Sequence, residues 1–174
     1  MEIKLAALEP EDLELLYTIE NSPALWSVGT SNVPYSRYAL RDYIATQQHD
    51  IYADRQLRLV IRVVEDEGAE KLSSRAVGLI DLFNFDPMHQ RAEMGIAILR
   101  EEQGRGYAAE AVRQLADYSR CVLSLRQLYC VVPCSNNRSL NMLRKTGFCN
   151  ENILKEWLKT ADGMEDAIHM QLFL

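Results

Sequence analysis

The stretch from Ile98 to Ala111 constrains the chain most: an apolar strand runs through Gln103-Gly104-Arg105-Gly106 and straight into a helix. Two glycines one residue apart let the backbone come close to a ligand. Their amides, with those of the first helical turn, form a cradle for an anion. Phosphate is the natural guest, and Arg100 and Arg105 are placed to add charge-assisted bonds. The stretch is not a Walker loop, which ends in Gly-Lys-Ser/Thr. Without a third glycine it is not a dinucleotide fingerprint either.

A chain of 174 residues with 48% apolar composition is of one-domain length and fills a complete core. We therefore expect one domain over residues 1–174. Asp plus Glu number 25 against 19 Lys plus Arg, a formal charge of −6, which argues against nucleic acid and favours a cationic partner. No signal-like start and no apolar run of about 18 residues occur, so the expectation is a cytoplasmic protein with no membrane span. Cys121, Cys130, Cys134 and Cys149 lack paired C-x-x-C spacing and read as buried free thiols. His49, His89 and His169 are scattered, so no metal site is expected.

The flanking segments follow hydrophobic period. Met1 to Ala7 reads as a strand and Glu9 to about Asn21 as a helix. Residues 22–34 read as a loop whose Trp26 and Val28 either wall a pocket or plug the core. Ser36 caps a helix to about Gln48. Leu57–Glu65, Ala76–Phe85 and the strand holding Glu93 should form an antiparallel meander. After the central helix, Ala108 to Val122, the apolar run Gln127–Val132 reads as a strand buried on both faces beside a parallel neighbour. A short helix from Asn136 closes at Gly147, and Ile153–Leu158 and Ala167–Leu172 form a hairpin around Ala161-Asp162-Gly163. The order β-α-α-β-β-β-α-β-α-β-β is an α+β fold with a mixed, mostly antiparallel sheet and helices on both faces.

Three motifs carry a resemblance over nearly the whole chain: Gln103-x-x-Gly106-x-Ala108, the strand Ala92-Glu93-Met94-Gly95-Ile96, and Asn136-x-x-Ser139-x-x-x-Leu143-x-Lys145-x-Gly147-Phe148. Together they resemble the GNAT superfamily of acyl-CoA-dependent N-acetyltransferases. The spermidine and polyamine enzymes and the ribosomal-protein N-terminal alanine acetyltransferases look most similar. The resemblance implies a V between the strand before the loop and the strand after the central helix, with the pantetheine arm of acetyl-CoA lying in it. Backbone groups of Ile96 and Ile98 would bond that arm. Gln103, Gly104, Arg105, Gly106, Tyr107 and Ala108 would hold the pyrophosphate, and Asn136 would contact the cofactor, helped by Ser139.

Acyl transfer needs a neutral amine, and an alkylammonium with a pKa of roughly 10 is scarcely nucleophilic at neutral pH without a base. Glu93 is the first candidate for that base, acting directly or through water. Pairing with Arg91 or His89, or binding the ammonium itself, are its other roles. Asp81 breaks an apolar strand, either to face the acceptor's positive charge or to serve as a hydrogen-bonded edge residue. Glu156, Trp157 and Tyr35 are further candidates for the same pocket. Many family members place a proton-donating tyrosine where this chain has Leu143, which leaves Ser139, another hydroxyl or water for that task. The thioester carbonyl would be polarised by a backbone amide near Ile96, freed by a bulge in the family. Transfer is expected to be direct, and an acetyl adduct on Cys134 would overturn that.

The expected reaction is acetylation of a primary amine, a small polyamine-like acceptor ahead of a protein N-terminus. A non-catalytic CoA-binding module is the alternative that Leu143 supports. Assembly, as monomer or homo-oligomer, is not written in any motif.

Overall fold

The computed structural model describes residues 2–26, 33–48, 50–66 and 72–174. Seven strands form one sheet in the order β1-β2-β3-β4-β5-β7-β6. They are β1 (Glu2–Ala7), β2 (Leu57–Asp66), β3 (Leu72–Asp86), β4 (Arg91–Ile98), β5 (Gln127–Pro133), β6 (Cys149–Thr160) and β7 (Gly163–Phe173). Every neighbouring pair is antiparallel except β4 with β5. The meander β2-β3-β4 and the terminal hairpin are as the sequence predicts.

Helices cover both faces. On one, α1 (Leu13–Glu20) and α3 (Arg37–Thr46) bury Leu15, Leu16, Ile19, Leu40 and Ile44 against Val60 and Leu79. The side chain of Ser36 accepts from the Ala39 amide at 3.1 Å and starts α3 where expected. Asp12, buried at the entry to α1, is paired with Arg62 of β2 at 2.7 Å and ties the helix to the sheet. On the other face, α5 (Tyr107–Cys121) and α6 (Asn137–Lys145) pack Ala111, Val112, Leu115, Leu140 and Leu143 against Ile61, Val63, Ile80 and Leu82. This alternation of Val60 with Ile61, and of Leu79 with Ile80, is the period-2 consequence of a sheet covered twice.

Two single-turn helices were not legible in the sequence: α2 (Pro23–Trp26), within the expected loop, and α4 (Ile51–Asp54). Both are too short to show a helical period. Val28 and His49 lie outside the described residues. Strand β5 corrects an expectation, since its residues alternate between buried and half-buried. Leu128, Cys130 and Val132 enter the α5/α6 core, while Tyr129 and Val131 take the opposite face. The thiols also differ from expectation. Cys130 is buried and Cys134 half-buried, but Cys121 and Cys149 are exposed, one at the end of α5 and the other at the start of the outermost strand. Among the described residues no helix is long and apolar enough to cross a membrane.

Candidate active site

Strand β4 hydrogen-bonds to β5 over one short stretch, Arg91–Glu93 against Gln127–Tyr129, and then the two part. The gap is bounded by Met94–Ile98 on one side and Cys130–Pro133 on the other, and its open end faces the start of α5. Backbone alternation says which residues look into it. The Leu99 amide donates to Val77 O in β3 at 2.9 Å, while Gln90 O accepts from the Arg126 amide ahead of β5 at 2.7 Å. Even-numbered residues of β4 therefore turn their peptide groups away from β3. Beyond Glu93 those of Met94, Ile96 and Ile98 meet the gap, so an extended ligand arm can pair there as an added strand. Ile96 and Ile98 are where the family resemblance needs them.

The register of β4 against β3 is unbroken from Ile98 to Glu93, so the Ile96 amide is freed by divergence of the strands and not by a bulge in β4. The irregularity lies instead in β3, between Phe83 and Asp86. Gly78 shows how tightly the two strands are joined, because a Cβ there would clash with Ala97 O.

At the open end, Gly104 and Gly106 hold φ of 86° and 84°, a left-handed conformation that disfavours any side chain. Gly106 is the N-cap of α5, whose first bond to it comes from the Glu110 amide at 3.3 Å. The amides of Ala108 and Ala109, ahead of that bond, have no helix carbonyl to meet and point out of the helix end. A Cβ built on Gly106 meets nothing within 4 Å, so the cradle is open. Gln103 braces it: its Nε2 donates to Ile98 O at 3.0 Å, and its Oε1 accepts from Arg138 Nη1 at 2.7 Å. Arg138 was missed by sequence reasoning, although it lies two residues past Asn136. Asn136 accepts from the Ser139 amide at 3.1 Å and so caps α6 beside the cradle. Arg105 is 3.6 Å from Glu102, which also pairs with Arg75. Tyr107 is buried under the cradle and Ala108 is half-buried in the first turn. The glycine conformations, the open amides and the nearby guanidinium groups fit a diphosphate.

At the closed end, Glu93 stands opposite Tyr129, the last pair before the strands part. Glu93 is half-buried and accepts a 2.8 Å hydrogen bond from Asn84 Nδ2. Asn84 sits at the irregularity in β3 with φ of 49°, which turns its side chain to Glu93 where regular pleating would not. The alternative pairing of Glu93 with Arg91 or His89 is not what forms. Asp86 takes both, accepting from the His89 amide at 3.0 Å and pairing with Arg91 at 3.3 Å, and these contacts hold its carboxyl below the ordinary range. Burial, then the charge of Glu93, raises the Tyr129 phenol above its ordinary pKa. On the opposite face burial, with the same charge, pushes the Cys130 thiol up to about 12.

Asp81 lies on the same face as Glu93, with Gly95 opposite it on β4. It is not a lone anion, and β3 is not an edge strand. Arg58 donates to it at 2.9 and 2.8 Å, and reaches Glu20 at 2.6 Å. Two carboxylates on one guanidinium leave the cluster one net negative charge. The ring of Phe83 fills the space over Gly95, where a Cβ would come within 3.1 Å of it. Ser139 is half-buried near the start of α6. Leu143 is 2% exposed and belongs to the core. Glu156 and Trp157 are exposed on β6, at the outer edge of the sheet, and Tyr35 is held by Asn21 at 2.7 Å. Among the described residues no group of three or more His, Cys, Asp or Glu is set to hold a metal ion.

A family model described as an acetyltransferase (GNAT) domain matches residues 2–149. The chain is 31% identical over 172 residues to the spermidine N(1)-acetyltransferase of Escherichia coli K12, covering 98% of this chain and 86% of that one. It is 26% identical over 174 residues to a putative ribosomal N-acetyltransferase, YdaF, of Bacillus subtilis, covering 98% and 90%. Among solved structures, the spermidine N-acetyltransferase of Vibrio cholerae in complex with CoA and spermine aligns with a TM-score of 0.81 at 27% identity, covering 98% of this chain and 95% of that one.

Proposed function

Because the chain belongs to the GNAT acetyltransferase family, we propose that it is an N-acetyltransferase acting on a small polyamine, with all 174 residues forming one catalytic domain. The observation that carries this reading is the gap between β4 and β5, with an anion cradle at its mouth and a carboxylate at its apex. Names of relatives support the acceptor class: spermidine for the Escherichia coli protein, and spermine bound with CoA in the Vibrio cholerae structure. The net negative cluster of Glu20, Arg58 and Asp81 on the Glu93 face also suits a polycation better than a neutral acceptor.

Acetyl-CoA supplies the acetyl group as an activated thioester. The chain's own residues do the remainder. Gly104, Arg105, Gly106, Tyr107 and Ala108 offer amides to the diphosphate, Gln103 fixes the loop, and Asn136 and Arg138 lie alongside. Ile96 presents its peptide groups and Ile98 its amide to the pantetheine arm, the Ile98 carbonyl being held by Gln103, and the Ile96 amide polarises the carbonyl oxygen. A donor of this kind contributes about 2.7–4 kcal/mol to the transition state. Glu93, aimed by Asn84, takes the proton of the attacking amine or holds the ammonium until it is lost. Asp81 acts within its cluster with Arg58 as part of the acceptor's field.

The test is thiol release from acetyl-CoA with a panel of amines: spermidine, spermine, shorter diamines and peptides with free N-termini. Turnover should be fastest with the polyamines. Preference for a peptide N-terminus would replace the acceptor, and no release with any amine would contradict the enzyme reading.

A further inference from the structure

Departure of the coenzyme leaves a thiolate, whose conjugate acid has a pKa of roughly 8.5, and a positioned proton donor speeds that departure. Leu143, buried at the position where many family members hold a tyrosine, has no proton to give. Resting on the acetyltransferase reading above, we propose that Tyr129 supplies the proton, from the opposite strand of the cleft.

Three observations place it. Tyr129 is the last residue of β5 paired with β4, directly across from Glu93, so an arm laid along the gap from the cradle ends against this pair. Its side chain lies on the face away from α5 and α6, because Leu128 and Cys130 on either side of it are the ones buried in that core. Its phenol lies close enough to Glu93 to feel that charge, and Asn84 donates to Glu93 at 2.8 Å. The ring is held from behind by His169, stacked at 5.4 Å and 29°. The charged groups facing the phenol are Glu93 and Arg91 of β4 and Asp86 of β3, with His169 of β7 against the ring. Burial and the Glu93 charge keep the phenol protonated at neutral pH, as a proton donor must be.

The step balances within the reactants. The amine nitrogen forms the new C–N bond, and the C–S bond breaks with its electron pair on sulfur. The phenol proton passes to that sulfur, giving the free thiol. The proton shed by the nitrogen goes to Glu93 and from there restores the phenol, so no outside acid or base is consumed.

The experiment compares the wild-type chain with Tyr129→Phe and with a chain carrying 3-fluorotyrosine at position 129, which keeps the shape and acidifies the hydroxyl. For Tyr129→Phe, kcat should fall about 10²-fold or more, while calorimetric affinity for CoA stays within about threefold of wild type. The alkaline limb of the wild-type kcat profile should move to lower pH in the fluorotyrosine chain and vanish with phenylalanine. In a chain labelled with [13C]tyrosine, adding CoA should shift the titration of the Tyr129 ring signal. An unmoved limb in the fluorotyrosine chain, a kcat within about threefold of wild type for Tyr129→Phe, or a ring signal indifferent to CoA would overturn the proposal. Should the wild-type chain release no thiol with any amine, the reading beneath it fails instead.

Discussion

The two ends of the cleft between β4 and β5 are built from different materials. The mouth is backbone: two glycines at positive φ, the first turn of α5, and a glutamine that ties the loop to Ile98 and Arg138. The apex is side chains, drawn from Asn84 on β3, Glu93 on β4, Tyr129 on β5 and His169 on β7. Backbone donors grip a group whose shape is constant, whereas chemistry at the apex needs groups whose protonation changes. Damage at the mouth should appear as lost affinity and damage at the apex as lost turnover.

The largest effect should come from Glu93→Gln. Its amide keeps the shape and a hydrogen-bond acceptor for Asn84 but loses the charge. Saturating turnover should drop about 10²- to 10⁴-fold, with calorimetric CoA affinity unchanged. An unaltered pH–rate profile would remove Glu93 from the role of base.

Next in size is a contrast in thiol reactivity that tests how dry the core behind the cleft is. With its pKa pushed up to about 12, Cys130 carries far less thiolate at pH 8 than an ordinary thiol. Buried and with little thiolate, Cys130 should be alkylated about 10³-fold more slowly than the exposed Cys121 and Cys149. Mass spectrometry of a time course with iodoacetamide reads this directly. Equal rates at Cys130 and Cys149 would mean that water reaches the core between β5 and α5/α6.

The smallest effect belongs to Gly106→Ala. A Cβ at a φ of 84° costs about 1–2 kcal/mol, and the neighbourhood is open, so strain is the whole penalty. If the loop relaxes to relieve it, the amides turn and CoA affinity falls about 5- to 30-fold. Saturating kcat should stay near wild type. A fall in kcat with unchanged affinity would erase the division between the two ends.

The same division governs what could be read from residue order. The mouth was legible because its chemistry is contiguous: Gln103 to Ala108 encode a turn and a helix start within one short stretch, and Asn136 to Phe148 encode a capped helix. The sheet followed, since alternation and turn residues mark each strand. At the apex only Glu93 was named. Asn84 acts through an irregular backbone that no pattern announces, and Tyr129 looked like one more apolar residue in a strand read as buried on both faces. Asp81 was singled out as a charge in an apolar run, but its partner Arg58 is 23 residues away, across a register set by pairing of β2 with β3. Cys121 and Cys149 were expected to be buried because their segment is apolar. Burial depends on where an element ends, and α5 ends in the open at Cys121.

Backbone hydrogen exchange with and without CoA tests the central claim most directly, because it reports on the mouth of the cleft and on the β4 wall behind it at once. Adding CoA should slow exchange at the amides of Gly104 to Ala109 and at Ile96 and Ile98, leaving β1 and β2 as they were. Saturable binding without protection at these amides, or no binding at millimolar CoA, would contradict it.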